Sequence, residues 1–86
     1  MPEICRFLGI IITMYFNEHN PPHFHARYGE HRAEIAIETL SIIAGRLPPR
    51  VLGLVMEWAA LRRQELMEDW ELARRQAELK RIAPLE

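Results

Sequence analysis

An α+β domain is the fold class this sequence predicts, and three observations predict it. Polar and apolar side chains alternate residue by residue through "HFHARY" and again through "RAEIAIE", with a turn signal at Gly29-Glu30 between them. From Pro49 the period changes: Val51, Leu54, Val55, Trp58 and Leu61 follow the spacing of one helix face. The expected architecture is an antiparallel sheet of three to four strands in meander order, with a C-terminal helix or bent helix pair packed on one face. A chain of 86 residues holds one such domain. It divides into a sheet over 7–46, a helical part over 49–78 and a tail over 79–86.

Taken in order, "FLGIIITMYF" (residues 7–16) is β-branched and aromatic and ends in turn residues, so it reads as one strand, apolar on both faces and central. Phe24, Ala26 and Tyr28 then point to the core, while His23, His25 and Arg27 take the other face. In the next strand Ala33, Ile35 and Ile37 face inward, opposite to Glu34, Ala36 and Glu38. Two registers are open. A two-residue loop at Gly29-Glu30 sets Arg27 opposite Arg32 and His25 opposite Glu34; a four-residue loop pairs Arg27 with Glu34 and His23 with Glu38. Charge complementarity favours the second. A turn at Thr39-Leu40 leads into "SIIAGR", a short fourth strand closed by Gly45.

Pro49 suits the first position of a helix, where a missing N–H costs nothing. Leu66, Trp70, Ala73 and Ala77 form a second stripe out of phase with the first, which predicts a bend or break near "RRQE" rather than one straight rod. Trp58 and Trp70 read as core anchors. Arg62-Arg63 and Arg74-Arg75, interleaved with acidic residues, read as a solvated helix face.

Composition narrows function. Eleven basic against twelve acidic residues give a formal charge of −1, which argues against a general electrostatic nucleic-acid binder but permits local patches. Cys5 is the one cysteine, so intramolecular disulfides and cysteine-rich zinc sites are excluded and a reducing cytoplasm fits. The apolar run 7–16 is too short for a bilayer-spanning helix, which takes about 20 residues, so no membrane role is expected.

Three of the four histidines fall in "EHNPPHFH". His23 and His25 share a strand face, and the diproline restricts the loop enough to return His19 near them. Three readings follow. As a metal site, His19, His23 and His25 supply nitrogen ligands for zinc or another divalent ion, with Glu18 or Glu34 as a fourth ligand or an orienting carboxylate. As a metal-free site, His23 and His25 act as an acid–base pair and Arg27 stabilises negative charge on a phosphate or carboxylate. As plain structure, the imidazoles on a Pro-Pro corner bond carbonyls or acidic neighbours, and the surface serves at most to bind protein. Arg46 and Arg50, at the sheet-to-helix junction, add positive charge if that junction lies near the histidine face.

The order of these motifs resembles a family of small bacterial proteins known as domain of unknown function 4160, over about residues 7 to 82. His19, Pro21, Pro22, His23, Phe24, His25 and Tyr28 match its H-x-P-P-H-F-H-x-x-Y segment. Leu47, Pro48, Trp58, Glu65, Leu66 and Trp70 match its helical part. Leu40 stands where members often carry glycine, and Arg62 or Arg63 where a histidine often precedes E-L. The resemblance implies a role like that of a toxin–antitoxin component, with a small partner such as domain of unknown function 2442. The expectation is a toxin-like protein acting on RNA or on a nucleic-acid-linked target through its histidine face; the residues themselves, not the resemblance, make His23, His25 and Arg27 the catalytic candidates and His19, Glu34, Arg46 and Arg50 the binding ones. The alternative is a non-catalytic binding or regulatory module, antitoxin-like or an adaptor, with metal binding as a further variant. A homodimer is compatible with either.

Overall fold

The computed structural model describes residues 2–85. Five strands, not three or four, form one antiparallel sheet in the meander order β1(Glu3–Phe7), β2(Ile10–Thr13), β3(His23–Tyr28), β4(His31–Ala36), β5(Ile42–Arg46). The extra strand comes from the first apolar run, which is not continuous. Leu8 (φ 50°) and Gly9 (φ 80°) form a tight turn that folds Phe7 onto Ile10. Positive φ at both turn residues matches the twist of a two-residue hairpin. A run apolar on both sides of such a turn hides it, because no polar residue marks the reversal.

At the next hairpin the two-residue loop prevails: Tyr28 pairs with His31, Arg27 with Arg32 and His25 with Glu34. Gly29 at φ 59° supplies the turn. The expected Arg27–Glu34 pairing is thereby corrected. A cross-strand ion pair contributes only about 0.2–1 kcal/mol, too little to override a turn whose twist suits both strands. Leu40 takes φ 58° at the turn before β5, so the turn forms there despite the side chain.

The two helices are α1(Pro49–Leu61) and α2(Arg63–Arg74), with the expected break at Arg62. Helical structure ends at Arg74 rather than 78. Val51, Val55, Trp58 and Ala59 of α1, and Leu66, Trp70 and Ala73 of α2, join the sheet's Ile4, Ile12, Phe24 and Ile35 in one core. Trp58 anchors it, its ring 5.8 Å from those of both Phe7 and Phe24. Among the described residues, no helix is long and apolar enough to cross a membrane.

Residues after α2 are more than a loose tail. Lys80 N–H donates to Asp69 Oδ1 (2.9 Å), Ile82 N–H to the Ile4 carbonyl (2.8 Å), and Trp58 Nε1–H to the Ala83 carbonyl (2.8 Å). Ile82 is buried beside them. This segment covers the β1 side of the sheet, whereas every residue of β5 is exposed.

Candidate functional site

The helices cover one face of the sheet, so the alternation in β3 leaves His25 and Arg27 on the other. There a groove of about 340 Å³ is lined by Ile11, Thr13 and Tyr15, then His25, Arg27, Arg32 and Glu34, with Ala44 and Gly45 on the far side. Its two ends differ in chemistry.

One end is cationic. Cross-strand register places Arg27 opposite Arg32, and Arg32 opposite Arg46, in a single row over three strands. Two strand spacings make this row roughly 10 Å wide. All three residues are exposed. Among the described residues, none of the three has an ion-pair partner. Gly45 makes the row possible. Its φ is 78°, and a Cβ there would lie 2.2 Å from the Arg32 carbonyl oxygen, so β5 approaches β4 more closely than any side chain permits.

The other end holds the histidines, one row along β3, roughly 7 Å away. A turn at Phe16-Asn17 follows β2, with Asn17 at φ 59°, and Gln76 Nε2–H donates to Asn17 Oδ1 (3.2 Å). The next residue, Glu18, is thereby carried over the sheet. Its Oε1 lies 2.8 Å from His23 Nε2 and 3.4 Å from His25 Nε2. The loop returns through Pro21 and Pro22, with the Asn20–Pro21 peptide bond cis. His23 Nδ1–H donates to the Pro21 carbonyl (2.8 Å), which fixes the ring. The two imidazoles are 5.2 Å apart, and Glu34 Oε1 approaches His23 Nε2 to 3.8 Å.

Exposure separates the two rings. His23 is only 5 % exposed, walled by the Trp70 indole at 5.3 Å, while the His25 side chain keeps 23 % exposure and meets Tyr15 edge-on at 4.5 Å. His25 therefore faces the groove and His23 supports it from below. Partial burial raises the Glu18 carboxyl, but its bonds to His23 and His25 outweigh that and hold it below the ordinary carboxylate value.

The expected set is thus partly regrouped. Donor atoms of Glu18, His23 and His25 lie within 4.8 Å of one another. His19 is not in this group: it is exposed and lines a smaller recess with Glu18, Pro21, His23 and Glu34. Glu18 takes the place expected for His19, because the diproline turns β3 back under Glu18. Arg50, exposed in the first turn of α1, does not line the groove. Tyr28, expected in the core, is 38 % exposed and packs across Gly9 at the end of the sheet. Arg32 and Tyr15 were not among the candidates; the two-residue hairpin register was the signal that could have found Arg32.

No curated protein and no solved structure matches the chain. The sequence model of one family, described as Domain of unknown function (DUF4160), matches residues 9–71. That span contains the loop from β2, the arginine row, both histidines and Trp70. By this match over most of its length, the chain belongs to the DUF4160 family.

Proposed function

We propose that this protein is the toxin-like member of a bacterial toxin–antitoxin pair and acts on single-stranded RNA through the open face of its sheet. One observation carries the reading: three arginines lie in register on the open sheet face, with no carboxylate paired to them among the described residues, and two of them, Arg27 and Arg32, share a groove with His25 of the His–Glu–His cluster. Like charges directly opposite each other on a sheet repel, so an anion laid across the row would relieve that repulsion. Guanidinium groups bind phosphate through paired N–H donors, and a strand of nucleic acid offers phosphates in series. Tyr15 adds an aromatic edge in the groove, the usual companion of positive charge where single strands bind by stacking. The formal charge of −1 does not oppose this, because the acidic residues of α2 lie elsewhere. The cluster of Glu18, His23 and His25 is the reacting end, and the arginine row holds the substrate against it.

Expression in a bacterial host tests the reading. The wild-type chain should arrest growth, and His25→Ala should relieve the arrest while its circular dichroism stays that of the wild type. Persistent arrest by folded His25→Ala, or no arrest by the wild type expressed alone, counts against it.

A second reading is favoured by β5. Its exposed Ile42 and Ile43 lie on a bare edge, the sort of surface to which a partner strand adds. A small cognate protein that docks there serves equally as an antitoxin or, for an adaptor, as its client.

A further inference from the structure

We infer that Glu18, His23 and His25 form a divalent-metal site of the zinc type, with a fourth position open to water beside Glu34. The inference stands on the geometry of the cluster and does not depend on RNA being the ligand of the groove. The Pro21 carbonyl can only accept, so the Nδ1 that faces it at 2.8 Å carries a proton. A neutral imidazole then presents a bare lone pair at Nε2. That lone pair points at Glu18 Oε1, 2.8 Å away, and a carboxylate oxygen is also an acceptor. Two acceptors do not face each other at this distance unless a proton or a cation lies between them.

Three further observations select the cation. The same Oε1 is met by His25 Nε2 at 3.4 Å, so two imidazole nitrogens converge on one carboxylate oxygen. A second carboxylate, Glu34, stands 3.8 Å from His23 Nε2, which brings the local donor set to two anions and two neutral rings. The His23 side chain is also almost wholly buried, where unbalanced charge is least tolerated. The bond from His23 Nδ1–H to a backbone carbonyl is the support that metal-binding histidines commonly have, since it fixes the ring and raises the basicity of the other nitrogen.

Two of the three donor–donor distances lie close to those a zinc ion needs, and the third, between the imidazole nitrogens, is within 4.8 Å and closes as the rings turn toward the ion. Zinc bonds of about 2.0–2.2 Å in tetrahedral geometry put neighbouring ligand atoms roughly 3.3 Å apart. The 3.4 Å contact already meets this, and the 2.8 Å contact must open by roughly 0.5 Å, which the Glu18 side chain can supply by rotation. Two nitrogens and one carboxylate oxygen make a borderline donor set, suited to zinc, cobalt or nickel rather than magnesium or calcium. The recess lined by Pro21, His23, Glu34 and Ile43 gives solvent and the ion a way in.

The test uses the full chain, free of any affinity tag, titrated with Co²⁺ and then Zn²⁺. One equivalent of Co²⁺ should bind with visible ligand-field absorption and no thiolate charge-transfer band; Zn²⁺ should displace it and raise the unfolding temperature. Glu18→Gln and His25→Ala, both at partly exposed positions, should weaken Co²⁺ binding at least tenfold with unchanged far-ultraviolet circular dichroism, and His19→Ala should leave it within twofold. Absence of stoichiometric binding by the folded wild type would mean a protonated pair only and overturn the proposal. So would equal affinity in the Glu18 and His25 variants, or a loss in His19→Ala as large as in His25→Ala.

Discussion

Replacing Gly45 with alanine tests how the arginine row is built. At φ 78° an alanine sits in the left-handed region, which costs about 1–2 kcal/mol for a residue with a Cβ. The new Cβ also meets backbone that cannot swing aside: the Arg32 carbonyl oxygen at 2.2 Å, and the Arg32 carbonyl carbon and Ala33 Cα at 3.0 Å. Forcing strands apart to admit a methyl group costs about 1–3 kcal/mol more. The sum, about 2–5 kcal/mol, is a large share of the roughly 4–13 kcal/mol expected for a domain of this length. Gly29→Ala is the internal control. It shares a positive φ, 59°, but nothing lies within 4 Å of its Cβ, so only the conformational cost remains. Urea unfolding followed by the fluorescence of buried Trp58 and Trp70 reads both variants. With a slope near 1 kcal/mol per molar for a small domain, Gly45→Ala should lower the midpoint by at least about 2 M and clearly further than Gly29→Ala. Equal midpoints for the two variants would refute the close approach of β5 to β4, and with it the placement of Arg46 beside Arg32.

The docked C-terminal segment predicts that Ile82→Ala, although eight residues beyond the end of α2 at Arg74, costs about 2–3 kcal/mol, as a buried core substitution does; a loss below about 0.5 kcal/mol in urea titration would show that the segment is not part of the fold. Asp69 supplies a pH dependence. Burial raises its carboxyl above the ordinary 3.8, the Lys80 N–H bond only partly offsets this, and Oδ2 has no partner. The folded state therefore binds this proton more tightly than the unfolded state, and the site lowers stability as pH rises from about 3.8 through the raised value. The stability of Asp69→Asn relative to wild type should grow over that window and level off above it; a difference independent of pH would contradict the assignment.

Periodicity made much of this fold legible because burial imposes it directly. The alternation through Phe24 and Ala26, the helix start at Pro49 and the phase change near Arg62 each follow from which side chains must leave water. Other features escaped for physical reasons. The Leu8-Gly9 turn lies inside an apolar run and is set by backbone conformation, not by polarity. Register at Gly29 turned on a local turn geometry that outweighed a visible charge pairing. His23 and His25 share a face as their spacing requires, but which third group joins them depends on the path of the loop, and that path brings Glu18 rather than His19. Docking of Ile82 on Ile4 joins the two ends of the chain, and nothing in the local sequence of either end announces it.

The central claim is that the open sheet face binds RNA through Arg27, Arg32 and Arg46, and the salt dependence of binding tests it most directly. Each phosphate contact to a single strand adds about 0.7 to the slope of log affinity against log salt concentration. For a short single-stranded RNA, the combined variant Arg27→Ala, Arg32→Ala, Arg46→Ala should lose about 2 from that slope while keeping the wild-type fold, since it removes only exposed, mutually repelling charges. An unchanged slope in the folded triple variant, or no RNA binding by the wild type at low salt, would contradict it.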